Sequence, residues 1–372
     1  MASVGMHVDQ VFYRAPGGIG TYIRELVPAM SAADPTLDLT LFHAAFPYAT
    51  RPGWLDGYTV VTLPQQIRRL YPMWDALGRP PLPPQLGRLN VIHAPSPATV
   101  PPVADGQRLV VTVHDLAFRV YPSLFPAAWR MLFRAGTWRA ARKADALITV
   151  SENTASDLIR FYGVEPDRVH VIPLAASLPE TTGAGTETLE RLRVRPPYVL
   201  FVGTLEPRKN LVRLVRAYRR AVAEGGFPHQ LVLAGPLGWH PQRLLAELKG
   251  GGPGEVVLAG RTRTEDLDTL YRSAEIFAYP SLYEGFGLPV LEAMVRGVPV
   301  LTSTSSSLPE VAGDAALSVN PRSVTAIAEA LAELMSNGPE RERLSKAGLA
   351  RAESSSWTRT ANETLKVYKG LT

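Results

Sequence analysis

Two carboxylates, Glu284 and Glu292, stand eight residues apart in the segment Ser281–Glu292, SLYEGFGLPVLE. The segment follows an apolar run and leads into a helical pattern. Gly285 and Gly287 free the backbone to turn sharply and to approach a ligand closely. Pro289 suits the first turn of a helix. A helix beginning there aims unpaired N–H groups at whatever occupies the strand's carboxyl edge, which suits a phosphate. Eight residues span roughly 12 Å if helical. One carboxylate then reaches a sugar on one side of a diphosphate and the other a ribose on the far side. The bland alternative is a plain strand–turn–helix with two solvated glutamates.

A second segment, Phe201–Asn210 (FVGTLEPRKN), also follows an apolar run and precedes a helix. Arg208 and Lys209 fall at the strand's carboxyl end, where open α/β sheets bind ligands. An adjacent guanidinium and ammonium suit a diphosphate leaving group, and a solvated basic loop is the alternative. Only six of the 39 basic residues are lysine, so its place beside Arg208 is notable. In Pro16–Thr21 (PGGIGT) a dinucleotide fingerprint opened by Gly18 would need glycine where Ile23 stands. What remains is a short glycine loop touching phosphate or sugar, or a bare turn. In Val111–Phe118 (VTVHDLAF), His114 and Asp115 sit where a strand ends. They can orient a substrate hydroxyl, act as base, or be structural.

Other signals fail. Asp266 and Asp268 imitate a metal-binding D-x-D, but Leu267, Leu270 and Tyr271 have helical spacing, so the pair reads as a solvated helix face. No Walker A, H-E-x-x-H or G-x-S-x-G sequence is present. No metal site is expected.

The elements that must position these residues alternate along the chain. In the first half, strands are expected at Val4–Val8, Leu37–His43, Tyr58–Leu63, Asn90–Ala94, Leu109–His114, Ala146–Val150 and Val169–Ile172. In the second, they are expected at Tyr198–Val202, Leu231–Ala234, Val256–Ala259, Ile276–Tyr279, Val298–Thr302 and Ala316–Val319. Several are almost continuous in Val, Ile and Leu, as parallel strands covered on both faces are. Helices are expected from near Gly20, over 126–144, and from a Ser151 cap to Gly163, with Asn210 and Thr264 as further N-caps. Ser177–Gly185 has linker composition. Two alternating β/α blocks joined by a linker predict two doubly wound domains.

Composition narrows the function. The 372 residues suit two domains, 46% hydrophobic content is globular, and the absence of cysteine excludes thiol chemistry and Cys-ligated metals. The net charge is +5, and the basic excess is spread through both halves, which argues against a nucleic-acid binder. No signal peptide or membrane-spanning run is evident, so a cytoplasmic place is expected, at the inner face of a membrane if the acceptor is lipid-linked. The helix Trp129–Lys143 carries Arg130 and Arg134 with Trp129, Phe133 and Trp138, a composition that can meet anionic lipid. Arg68, Arg69, Tyr71 and Trp74 form a second basic aromatic stretch. The alternative is ordinary packing with snorkelling arginines.

Taken together, EGFGLPVLE, FVGTLEPRKN, GGIG, HDLAF and TVSENTASDL resemble glycosyltransferase family 4, retaining enzymes of GT-B fold that use nucleotide sugars. The resemblance runs over nearly the whole chain and is nearest the mannosyltransferase branch. It implies an α/β protein of two Rossmann-like, doubly wound domains facing a cleft. Residues 1–176 would bind acceptor and 177–195 would link. Residues 196–355 would bind the donor, and 356–372 would form a helix crossing back to the first domain. It implies that Arg208 and Lys209 hold the diphosphate, that Glu284 meets the donor hexose beside Gly285, Phe286, Gly287 and Leu288, and that Glu292 holds the ribose. Gly18 would approach the phosphates, His114 would lie near the reacting sugar, and Glu206 would orient the cationic pair. The nucleotide sugar is then substrate rather than cofactor, GDP-mannose first and UDP-glucose or UDP-GlcNAc second. The acceptor is a glycan, lipid-linked or small hydroxyl compound. A nucleotide-sugar epimerase of related architecture is the other enzyme class to separate.

Overall fold

The computed structural model describes residues 3–13, 16–177 and 185–372 and divides the chain into two compact units. Most of the expected linker segment 178–184 lies outside the described residues. The first unit takes residues 1–122, 127–174 and 356–372; the second takes 123–126 and 175–355.

The first unit holds a seven-stranded parallel sheet. Its strands are β1 (Ser3–His7), β2 (Asp38–His43), β3 (Thr59–Thr62), β4 (Val91–Ala94), β5 (Arg108–Val113), β6 (Ala146–Thr149) and β7 (Val169–Val171). Their order is β3-β2-β1-β4-β5-β6-β7. β4 and β6 are wholly buried, whereas the edge strands β3 and β7 are only partly so. That gradient is why the central runs are continuous in Val, Ile and Leu. The helix Ala127–Lys143 and the helix Glu152–Tyr162 fall where expected, the latter capped by Ser151 Oγ, which accepts from the Thr154 amide at 3.1 Å, and closed by left-handed Gly163. The helix Trp357–Leu371 belongs to this unit and packs along the helix Gly17–Ala33. Thr360 Oγ1 donates to Pro173 O at 2.7 Å, and Tyr368 meets His93 Nδ1 at 2.5 Å beneath the sheet's carboxyl edge.

The second unit holds a six-stranded parallel sheet of β8 (Tyr198–Val202), β9 (Gln230–Ala234), β10 (Val256–Gly260), β11 (Ile276–Tyr279), β12 (Val300–Ser303) and β13 (Ala316–Val319), in the order β10-β9-β8-β11-β12-β13. Its core is the buried pair β8 and β9 with β11 and β12, covered by helices such as Leu211–Gly225 and Val324–Ser336. The end of the expected linker is helical: Gly185–Leu192 packs on the helix Thr264–Ser273. Ser123–Pro126 joins this unit because Trp239 Nε1 donates to Leu124 O at 2.6 Å and its ring packs on Phe125.

Two expected caps differ. Asn210 stands at the N-cap position with φ 64°, but its side chain makes no capping bond; its Nδ2 donates instead to Pro280 O at 3.0 Å and Pro321 O at 2.6 Å. Thr264 is the first helical residue, and Arg263 precedes it as N-cap.

Candidate active site

Each strand order reverses once, between β1 and β4 in the first sheet and between β8 and β11 in the second. At such a point the loops leaving two neighbouring strands diverge and open a crevice at the carboxyl edge. In the second unit those loops are Gly203–Asn210, after β8, and Pro280–Gly287, after β11. They carry the two strongest motifs of the sequence.

The loops converge on one charged cluster. Lys209 Nζ donates to both oxygens of Glu284, at 2.7 and 2.9 Å, and also meets the Tyr279 hydroxyl. Arg208 Nη1 donates to Glu284 Oε2 and to Tyr283 O, each at 2.8 Å, and its Nη2 lies 2.7 Å from Glu206 Oε1. Glu206, Lys209 and Glu284 are buried, while Arg208 keeps more surface. Two cations thus face two carboxylates in a largely buried site. Burial opposes the charge on Glu284, but Arg208 and Lys209 outweigh it and hold its carboxyl at about 2. Burial pushes Lys209 below the usual lysine range against the pull of Glu284. It pushes Glu206 up against Arg208 and Lys209. Such fixed, partly desolvated donors stabilise charge that develops beside them without reorganising.

The β11 loop is locked from below. The Glu284 amide donates to Ser306 Oγ at 2.8 Å, and Ser307 Oγ donates to the carbonyls of Glu284 and Phe286 at 2.9 and 2.7 Å. Ser306 itself has φ 55°, an uncommon conformation for a side-chain-bearing residue. Gly287 has φ 119°, and a Cβ there would stand 2.8 Å from Leu308 Cδ2, so the turn into the helix Leu288–Met294 requires glycine. Glu292 lies inside that helix, where its Oε2 accepts from Tyr271 at 2.9 Å. The two glutamates of the motif therefore have different partners: Glu284 the basic pair, Glu292 a buried tyrosine.

Tyr279, Ser306, Ser307 and Asn210 complete the cluster, and sequence reasoning gave none of them a role in it. The signal available for the serines was the run Ser303–Ser307 at the end of β12.

In the first unit, His114 follows β5 and its Nε2 lies 2.9 Å from Pro95 O. A carbonyl only accepts, so Nε2 carries the proton and Nδ1 the lone pair. Burial lowers the imidazole to about 4, so it is neutral at physiological pH. Asp115 Oδ1 accepts from the Ala117 amide at 3.0 Å, and its charge lies near enough to oppose the lowering of His114. Gly18 lies in the first turn of the helix Gly17–Ala33, which begins three residues before the expected start. The position is exposed, and a Cβ there would meet nothing within 4 Å, so packing within the chain does not demand its glycine.

The reading of Asp266 and Asp268 as a solvated face is corrected. Both are buried. Arg191 Nη2 reaches Asp266 at 2.6 Å, and Arg296 Nε and Arg272 Nε reach Asp268 at 2.6 and 3.0 Å. Arg191 and Arg296 from distant segments, with Arg272 of the same helix, cover the helix face and occupy its carboxylates.

The helix Ala127–Lys143 leaves Trp129, Met131 and Trp138 at 49%, 72% and 56% exposure, with Arg134, Arg142 and Lys143 also exposed. The Arg142 guanidinium lies 5.0 Å from the Trp138 ring centre. The second basic aromatic stretch differs. Arg68 and Arg69 are exposed, but Trp74 is buried and Tyr71 bonds to buried Asp9 at 2.5 Å. Among the described residues no helix is long and apolar enough to cross a membrane.

Comparison with known proteins agrees with this architecture. Residues 16–178 match the family described as Glycosyltransferase Family 4, and residues 189–351 match Glycosyl transferases group 1. The chain is 35% identical over 271 residues to O-antigen chain mannosyltransferase B of Escherichia coli, covering 71% of each chain. It is 34% identical over 238 residues to MMP alpha-(1->4)-mannosyltransferase of Mycolicibacterium hassiacum, covering 62% of this chain and 55% of that one. In fold it is similar to sucrose-phosphate synthase from Thermosynechococcus elongatus, with a TM-score of 0.74 at 20% identity over 100% of this chain and 99% of that one.

Proposed function

The chain belongs to glycosyltransferase family 4, with two Rossmann-like domains of the GT-B kind, and from that premise we propose that it moves mannose from GDP-mannose to a hydroxyl of a glycan or lipid-linked acceptor with retention of the α configuration. The observation that carries this reading is the joining of Arg208, Lys209 and Glu284 at the switch point of the second sheet. The names of the two mannosyltransferase relatives support the choice of sugar.

In the proposed reaction the acceptor oxygen attacks the anomeric carbon as the bond from that carbon to the β-phosphate oxygen breaks. The acceptor proton passes to the departing diphosphate on the same face. Negative charge grows on the leaving oxygen while the sugar becomes oxocarbenium-like. Arg208 and Lys209 stabilise the leaving charge. For this, Glu284 first exchanges Lys209 for hydroxyls of the bound sugar, which frees the lysine for the diphosphate. Glu292 takes the ribose, and Gly18 leaves room for the phosphates. His114 accepts a hydrogen bond from a sugar hydroxyl at Nδ1, and that hydroxyl keeps its proton. Two fixed cations do the work that a divalent ion does elsewhere, so transfer needs no added metal.

The exposed face of the helix Ala127–Lys143 supports peripheral binding to anionic membrane from the cytoplasmic side, where a lipid-linked acceptor would be met.

A nucleotide-release screen over GDP- and UDP-sugars, without acceptor, tests the donor. Release from GDP-mannose above the others is expected, and preferential release from a UDP-hexose would replace the donor assignment. Proton NMR of the transfer product with EDTA present tests the rest: a β-linked product, or activity only after Mg²⁺ or Mn²⁺ is restored, would overturn retention or metal independence.

A further inference from the structure

The carboxyl edge of the first sheet holds a second polar cluster that the proposed chemistry leaves unused. Asp9, just past β1, is wholly buried. Its Oδ1 accepts from the Ala44 amide at 2.7 Å and lies 3.1 Å from His7 Nε2, and its Oδ2 accepts from the Tyr71 hydroxyl at 2.5 Å. The Tyr71 oxygen lies 3.2 Å from the Tyr13 hydroxyl. Burial opposes ionisation of Asp9, but His7 and these donors outweigh it and hold the carboxyl below its ordinary value.

The direction of the chain follows. An ionised carboxylate only accepts, so the single Tyr71 proton points at Asp9. Tyr71 can then only accept from Tyr13, which uses the Tyr13 proton. What half-exposed Tyr13 offers beyond the cluster is lone pairs alone, so a group meeting it there must donate.

Beside this acceptor lies a half-buried aromatic cluster. The Phe12 and Phe46 rings stack at 5.2 Å with 10° between their planes, Phe12 also lies 4.1 Å from the His43 ring, and Tyr13 is 6.0 Å from Phe46. All three of Phe12, Tyr13 and Phe46 are half-buried past the carboxyl ends of adjacent strands β1 and β2, and the loop after β1 also borders the switch point between β1 and β4. A ligand that matches has a C–H face for the rings and a hydroxyl donor at its rim.

We propose that the stacked pair Phe12–Phe46 and Tyr13 form a binding shelf for a pyranose ring of the glycan acceptor, with the outer side of the pair against its C–H face and the Tyr13 oxygen accepting from one of its hydroxyls. This rests on the glycan-acceptor reading above.

The test uses the full chain and an α-linked mannobiose as probe, followed by saturation-transfer NMR and by its KM in mannosyl transfer. Tyr13→Phe keeps the ring and removes the accepting oxygen; affinity for the probe is expected to fall about five- to tenfold, the weight of one neutral hydrogen bond. Phe46→Ala is expected to lower it tenfold or more, and Phe46→Leu serves if the alanine variant does not fold. Affinities within twofold of wild type in folded Tyr13→Phe and Phe46 variants would overturn the shelf. So would the absence of saturation transfer from the wild type to millimolar mannobiose. Nucleotide release by the wild type without acceptor is scored separately: its failure would count against the transferase reading, whereas probe binding alone decides the shelf.

Discussion

Lys209 Nζ lies between the two carboxylate oxygens of Glu284, 2.7 and 2.9 Å away, although 75 residues separate them in the chain. Each holds the other's charge inside the domain. The same contact therefore affects stability and, in the proposed reaction, the readiness of the lysine for a departing diphosphate.

Removing the lysine separates these effects. Lys209→Met leaves Glu284 buried with one cationic partner fewer, and breaking a buried pair from one side costs about 3–5 kcal/mol. The double variant Lys209→Met, Glu284→Gln is expected to regain much of the thermal midpoint and none of the turnover. Turnover in Lys209→Ala and Arg208→Ala is expected to fall about 10²-fold or more, as on losing an oxyanion donor. Saturating-donor kinetics beside calorimetry checks both halves.

Acid unfolding reports the same pair. The folded Glu284 carboxyl, at about 2, lies below its ordinary 4.5, so the folded protein binds fewer protons than the unfolded chain between these values. The stabilisation is complete above about 4.5 and is lost as pH falls through about 2. In Glu284→Gln this contribution disappears. Urea midpoints measured at about pH 5 and about pH 3 should therefore fall less in the variant than in the wild type.

Gly287→Ala is expected to destabilise the protein by about 1–3 kcal/mol, because the new Cβ meets Leu308 in a backbone conformation that side chains avoid. The displaced loop should also raise the donor KM. An unchanged KM with an unchanged midpoint would show that the turn tolerates a side chain.

Trp129→Ala combined with Trp138→Ala should weaken sedimentation with vesicles of anionic phospholipid, and Arg134→Gln should weaken it more at low salt than at high. Each surface cation contributes about 1 kcal/mol, so wild-type binding should be reversible and salt-sensitive. No wild-type binding at low salt, with efficient transfer to a water-soluble acceptor, would remove the membrane and leave the enzyme.

The strands and the two loops of the charged cluster were legible because continuous Val, Ile and Leu runs followed by Gly, Pro and charge are local signals. Long-range contacts were not. Nothing near Asp266 or Asp268 in sequence announces Arg191 or Arg296. Tyr279 looks like an ordinary strand residue until Lys209, 70 positions earlier, is placed on its hydroxyl. Asn210 was legible by position, but its amide spans to Pro280 and Pro321, which only the sheet order brings near. The Asp9–Tyr71–Tyr13 chain escaped for the same reason: nothing in the stretch of Arg68, Arg69, Tyr71 and Trp74 announces Asp9.

The return of the helix Trp357–Leu371 to the first unit also has a bearing on synthesis. His93 receives Tyr368, and Pro173 receives Thr360, only after the entire second unit has left the ribosome. At about 5–20 residues per second that delay is on the order of ten to forty seconds. During it the helix Gly17–Ala33 of the nascent first domain lacks the partner helix that packs along it in the finished protein. The second unit, nearly continuous in the chain, can close first, and the domain made earliest is completed last.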